Sequence, residues 1–188
     1  MAVPKNKRKP SPFQTPIEMM KLRDEVTAML FKNFGYSDKR FEKQVERFRK
    51  MHEKSCKNID EVVENFKIKQ RAIHEWYIER ERNIIHTIVQ RIDSEFKQAN
   101  SIYPSKTPAF EQEYIERRIH LDKAIASCYE LIGELEHIVR TLPVDKNKFC
   151  SLEDAIDNQI KLFKGVRKSD NRFLKEIRKQ EGKNTNDK

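Results

Sequence analysis

The residues best placed to do chemistry are cations set at helical spacing near the end of the chain. Residues 161–179 contain Lys161, Lys164, Arg167, Lys168, Arg172, Lys175, Arg178 and Lys179. Phe163, Val166, Phe173 and Ile177 recur among them as one helix face, with Asp170 in the same row. A helix that packs on one side and is densely cationic on the other is suited to neutralising the phosphates of a polyanion. From position 161 to the end, ten Lys/Arg stand against four Asp/Glu, a local charge of +6. Lys5, Lys7, Arg8 and Lys9 add +4 at the other end, and the whole chain is +9, so everything between sums to −1.

Other chemistry is poorly represented. The five His, at 52, 74, 86, 120 and 137, form no H-E-x-x-H arrangement. His52 and Cys56 lie four apart, a spacing that suits two metal ligands, but no second pair stands near them in the sequence. Glu113 and Glu116 lie beside Arg117, which in a Glu/Arg-rich helix reads first as a salt-bridged surface. There is no Gly-rich phosphate loop, nucleophile elbow or deaminase-type zinc signature. The expectation is a non-enzyme with no catalytic residues, metal or cofactor. Trp76 and Tyr77 are adjacent and face different sides, so at least one is expected to be partly exposed. Amid Arg71, Arg80 and Arg82 that ring can stack a base, though packing against another helix is the commoner outcome.

These residues need long helices to position them, and the composition supplies them. The 188 residues include only four Gly and seven Pro, and 37% are charged, which disfavours a β-sandwich or a doubly wound sheet. A pI near 9.4 fits RNA, DNA or an acidic protein as partner; the blander reading is a Lys excess that serves solubility. No apolar run approaches the roughly 18 residues needed to cross a bilayer, so no membrane partner is expected. The basic N-terminus has no apolar segment behind it and does not read as a secretory signal. Three Cys, at 56, 128 and 150, without close pairing fit a reducing, cytoplasmic compartment.

The pattern divides into a disordered basic arm over 1–14, a helical bundle over 15–180 and a disordered polar tail over 181–188. Thr15-Pro16-Ile17-Glu18 reads as a helix start, with Met19, Leu22, Val26, Met29 and Leu30 as its apolar face and Gly35 as its left-handed cap. Over 39–99 the stripes Phe41, Val45, Phe48 and Ile78, Ile85, Ile88, Ile92, Phe96 fall out of phase around Ser55–Asp60. One long kinked helix or two stacked helices satisfy this, and a break with a new start at Asn58 is preferred. Asn100–Pro108 reads as a loop. Leu121, Ile125, Cys128, Ile132, Leu135, Val139 and Leu142 then alternate four and three apart, and Ser151 caps a last helix with seam Leu152, Ile156, Gln159, Phe163 and Val166. The expected fold is all-α, an up-down bundle of four or more helices with an extended or inserted helical segment at about 39–75.

Polar residues interrupt these seams. Extending the fourth-segment seam back from Leu121 reaches Arg118 and Tyr114, which places Arg118 inward or at an interface. A snorkelling Arg, an intersubunit ion pair or a phosphate contact would each explain it, and Asp170 is a candidate partner.

Several segments together resemble the accessory variability determinant family of diversity-generating retroelements, which are four-helix bundles encoded beside a reverse transcriptase. The residues that carry the resemblance are Met1-Ala2-Val3-Pro4-Lys5-x-Lys7-Arg8, Asn100-Ser101-Ile102-Tyr103-Pro104, Glu113 with Arg117-Arg118, Leu142-Pro143, and Gln159-x-Lys161-Leu162-x-Lys164-Gly165-Val166-Arg167-Lys168-Ser169-Asp170-x-x-Arg172. It covers about Asn100–Phe173 and the extreme N-terminus, and is poor over Lys39 to about Ala72, where this chain is longer. The resemblance implies a homopentamer that binds the reverse transcriptase and its template RNA or cDNA during mutagenic copying. It implies Arg117, Arg118, Lys161, Lys164, Arg167, Lys168 and Arg172 as contacts, beside the basic arm. The rival reading is an oligomeric helical scaffold that engages an acidic protein.

Overall fold

The computed structural model describes residues 14–102 and 110–184. Among these the chain is all helical: α1 (Gln14–Phe31), a 3-10 turn (Asn33–Gly35), α2 (Asp38–His52), α3 (Ile59–Ser101), α4 (Phe110–Thr141), a second 3-10 turn (Lys146–Lys148) and α5 (Cys150–Asn184). Arm residues Lys5, Lys7, Arg8 and Lys9 and most of the loop expected at 100–108 lie outside the described residues.

Side-chain pairs fix the helix directions. Arg23 meets Asp93 and Arg82 donates to the Leu30 carbonyl, so α1 and α3 run antiparallel. Arg91 with Glu130 and Glu95 with His120 set α3 against α4 in the same sense. Lys164 with Tyr129 and Arg178 with Glu111 do so for α4 and α5. Contacts between α1 and α5 complete the ring. Each helix turns an apolar stripe to one shared core, including Leu22 and Val26 of α1, Ile85 and Ile92 of α3, Leu121, Leu131 and Leu135 of α4, and Ile156 and Phe163 of α5.

The break near Ser55 is present, and it separates α2 from α3. With 43 residues, α3 is about 64 Å long at about 1.5 Å per residue. Its first half therefore overshoots the shared core and pairs with α2 as an antiparallel hairpin. The hairpin has its own small core of Phe41, Val45 and Val63, flanked by Phe48 and Phe66, whose rings stack at 3.9 Å. At its base, His74 lies under Tyr36 and Phe41, and Tyr36 Oη is 3.2 Å from His74 Nδ1.

Helix ends depart slightly from expectation. Thr15 is a buried residue within α1, not a cap. The last begins at Cys150, one residue before Ser151, with the Phe149 carbonyl accepting from the Glu153 N–H. It continues to Asn184, so residues 181–184 are helical where a disordered tail was expected. Gly182 is the one poor helix former in that stretch, too weak a break to stop a helix alone. Gly35 does take a left-handed conformation, at φ 72°, after Asn33 and Phe34 at 49° and 59°.

Candidate nucleic-acid interface

The cationic helix face expected at 161–179 forms on α5, and its residues divide by what they touch. Phe163 is fully buried and Val166 packs against the shared core, so the helix is held along the first part of its apolar side, whereas Phe173, expected on that packed face, is 55% exposed. Lys161, Lys168, Arg172, Lys175 and Lys179 are exposed and have no ion-pair or hydrogen-bond partner among the described residues. With Lys164 they recur three and four apart, which puts them on one outward ridge about 27 Å long at 1.5 Å per residue. Lys164 shares the ridge but donates to Tyr129 Oη at 2.9 Å.

The remaining expected contacts are committed to α4. Arg167 pairs with Asp122, which Arg118 also approaches at 3.6 Å, and Arg178 pairs with Glu111 at 2.6 Å. These are partly exposed pairs that phosphate can compete for, and each is weak in water. Arg117 is different. Its Nε donates to Asp170 Oδ2 at 2.8 Å, and its Nη1 donates to the Ala99 and Ile102 carbonyls at 2.7 and 3.2 Å. With Arg117 and Asp170 only 14% and 17% exposed, this guanidinium joins α5 to the end of α3 and caps carbonyls that the helix leaves unpaired. It is not an available phosphate contact, which corrects that expectation.

The same observation corrects the inward placement of Arg118, which is 54% exposed. The α4 seam that is most deeply buried runs Leu121, Ala124, Cys128, Leu131, Leu135, Ile138 and Leu142, while Ile132 and Val139 lie at its edge. Continued backward four residues from Leu121, that register reaches Arg117. The sequence seam had passed over small Ala124 in favour of Ile125, and the extrapolation slipped by one residue.

Polar residues elsewhere in the core make few contacts. Gln159 is fully buried and neither atom of its amide has a protein partner among the described residues. Glu81, also buried, has its carboxyl pushed above the usual range by burial first and by Glu134 second. Burial alone raises the Cys128 thiol to about 12, which keeps it unreactive. The His52 ring lies tilted against Phe48, ring centres 4.4 Å apart, and Cys56 is a free thiol, as are Cys128 and Cys150. Among the described residues, no group of three His, Cys, Asp or Glu is placed to hold a metal ion, and no helix is long and apolar enough to cross a membrane. Of the adjacent aromatics, Trp76 is the exposed one, 5.7 Å from the Arg80 guanidinium, and Tyr77 is buried.

A second basic surface was not singled out in the sequence. Residues 38–72 hold eleven Lys/Arg and seven Asp/Glu, a charge of +4, so the near-neutral middle is a basic hairpin averaged with a body of −5. Averaging across the two regions hid it; a charge count restricted to the segment after Gly35 would have found it. No protein-family model, curated protein or solved structure matches this chain.

Proposed function

We propose that this protein is a non-enzymatic, nucleic-acid-binding subunit, acting beside a reverse transcriptase on its template RNA or cDNA. The observation that carries the binding reading is the α5 ridge: five exposed cations on one side of a helix, with no acidic partner among the described residues. Elsewhere this chain pairs many of its cations, so an unpaired row of them is a site for external phosphates. A row of this kind reads charge more than sequence. The reverse-transcriptase partnership rests on the resemblance carried by Lys161–Arg172 and the N-terminal arm. In this reading α1, α3, α4 and α5 form an up-down four-helix bundle, a topology supported by their antiparallel pairings, and copies assemble as a pentamer in the cytoplasm.

The test is a salt titration of binding to a labelled nucleic-acid duplex. Five phosphate contacts give a log–log slope of about −4.5, from roughly 0.9 per contact on duplex DNA. Lys168→Gln/Arg172→Gln/Lys175→Gln should lower the slope by about 2.7 and weaken binding at least about tenfold at moderate salt. Affinity that ignores salt, or a triple variant that binds like the parent, would refute the reading. Purification after nuclease treatment addresses the partner: a retained reverse transcriptase supports the proposal, and its absence overturns that part.

A second reading, the oligomeric scaffold for an acidic protein, is favoured by one feature of α1. Ile17, Met20 and Phe31 are exposed at 51%, 66% and 80% on the side away from the core, a spacing suited to a further helix. A nuclease-resistant acidic partner would select this reading.

A further inference from the structure

Helix α2 carries a cationic ridge of its own. Lys39, Lys43 and Arg47 are four apart, Lys50 follows three on, and Lys54 lies four further, in the turn after the helix. All five are exposed. Four have no ion-pair partner among the described residues, and Lys50 has only Glu46, 3.7 Å away and itself exposed. Of the hairpin's six other basic residues, Lys57 and Lys69 are also exposed without an ion-pair partner among the described residues, and the remaining four are paired. Arg40, Arg49, Lys67 and Arg71 all pair with acids, and these pairs join α2 to its neighbours. On α2 itself the pairing leaves one outward row of charge, with Glu46 and Glu53 along one edge.

The two ridges face the same side of the molecule. Val63, His74, Ile85 and Phe96 of α3 are eleven apart, three turns of helix, so they lie along one line, and all are buried. The top of that line meets the α2 core of Phe41 and Val45; at the bottom, Phe96 packs on Phe163 of α5, ring centres 5.1 Å apart. Both α2 and α5 therefore sit on the same side of α3, and the outer face of each points away from it. Their separation follows from register. The pairs Arg49–Asp60 and Glu42–Lys67 set Arg47 level with Val62, and Arg117 joins Asp170 to Ala99. From Val62 to Ala99 along α3 is about 55 Å at 1.5 Å per residue. Exposed Glu153, Asp154 and Asp157 of α5 occupy the interval, so the positive surface is two patches and not one track.

We propose that the α2 ridge is a second contact for a nucleic-acid duplex, and that one duplex bridges it and the α5 ridge. The proposal rests on the nucleic-acid reading of α5 given above. Charge complementarity selects the phosphate backbone, and the spacing selects a duplex. About 55 Å corresponds to about 16 base pairs at 3.4 Å each, far below the persistence length of about 150 base pairs, so a duplex crosses the gap without bending.

The experiment compares the full-length protein with Lys43→Gln/Arg47→Gln/Lys50→Gln, by fluorescence anisotropy on RNA duplexes of about 30 and about 10 base pairs. Only the longer reaches both ridges. The variant should lose at least about tenfold in affinity for the long duplex and less than about threefold for the short one, which α5 still holds. Circular dichroism must match the parent; if it does not, single Lys43→Gln and Lys50→Gln variants replace the triple, with smaller losses expected in the same order. Equal affinity of variant and parent for the long duplex, or equal losses on both lengths, overturns the second contact while leaving α5 binding intact. Parent protein that binds neither duplex in a salt-dependent way instead overturns the underlying nucleic-acid reading. Polyglutamate competing at α2 as well as duplex of equal charge also overturns the proposal, in favour of an acidic protein.

Discussion

The helical body and the α2–α3 hairpin are built from the same kinds of residue but stabilised differently. The body draws buried side chains from four helices, and it tolerates polar groups inside: the Arg117–Asp170 pair, Gln159 and Glu81. The hairpin buries Phe41, Val45 and Val63 fully and supports them with half-buried aromatics at the edge. Its ion pairs are exposed, with Asp60, for example, 84% accessible, so they add little. A small core held by one aromatic cluster at its base opens more readily than a shared four-helix core. Charge follows the same division. In the body acids outnumber bases and pair with them, whereas the hairpin keeps a row of cations free of partners, as the far end of α5 also does.

The largest effect on this contrast should come from Arg117→Ala. It leaves Asp170 uncompensated and the Ala99 and Ile102 carbonyls uncapped, at a cost of about 4 kcal/mol to the body, measurable by urea denaturation. Arg117→Met/Asp170→Leu should recover most of it, because removing both charges removes the unpaired one. If Arg117→Ala unfolds at the parent's urea midpoint, the pair does not hold the body together.

Phe41→Ala should cost about 3 kcal/mol, and the loss should be local. Hydrogen exchange would speed up across α2 and the start of α3 while α4 keeps its protection. Faster exchange throughout the chain would mean that the two regions unfold as one unit.

The smallest and most discriminating effect is that of pH. Burial holds His74 below its ordinary pKa of 6.5, so the unfolded hairpin binds a proton more readily than the folded one. The stability that neutral His74 contributes is present above pH 6.5 and is lost as pH falls from there through its lower folded value. Glu81, raised above its ordinary 4.5, has the opposite sign: its contribution is present below 4.5 and is lost as pH rises through its folded value. Acidification from pH 7.5 to 5.5 should therefore loosen the hairpin, seen as faster exchange in α2, while the cost at Glu81 in the body diminishes. His74→Phe should remove the hairpin's response. Exchange in α2 that is flat over this range would show that His74 does not control docking.

Much of this was legible in the sequence. The period of 3.6, the scarcity of Gly and Pro and the loss of phase at Ser55 gave an all-helical chain with α2 and α3 separated, because apolar spacing reports directly which face of a helix is buried. Gly35 announced a left-handed turn for an equally local reason. The cationic face of α5 could also be read from spacing alone. What spacing did not reveal was which cations are occupied. Arg117 and Arg118 are neighbours of one type, yet one is locked under Asp170 and two carbonyls and the other is exposed; a shift of one register position, set by how Ala124 packs, separates them. The same holds for the ridges. Local composition determines that each helix has a charged side, but the acids that pair with Arg40, Arg49 and Arg71 come mostly from other helices. Only tertiary packing brings those acids near, and only α3, running past both, puts the two unpaired rows on one side at a fixed distance.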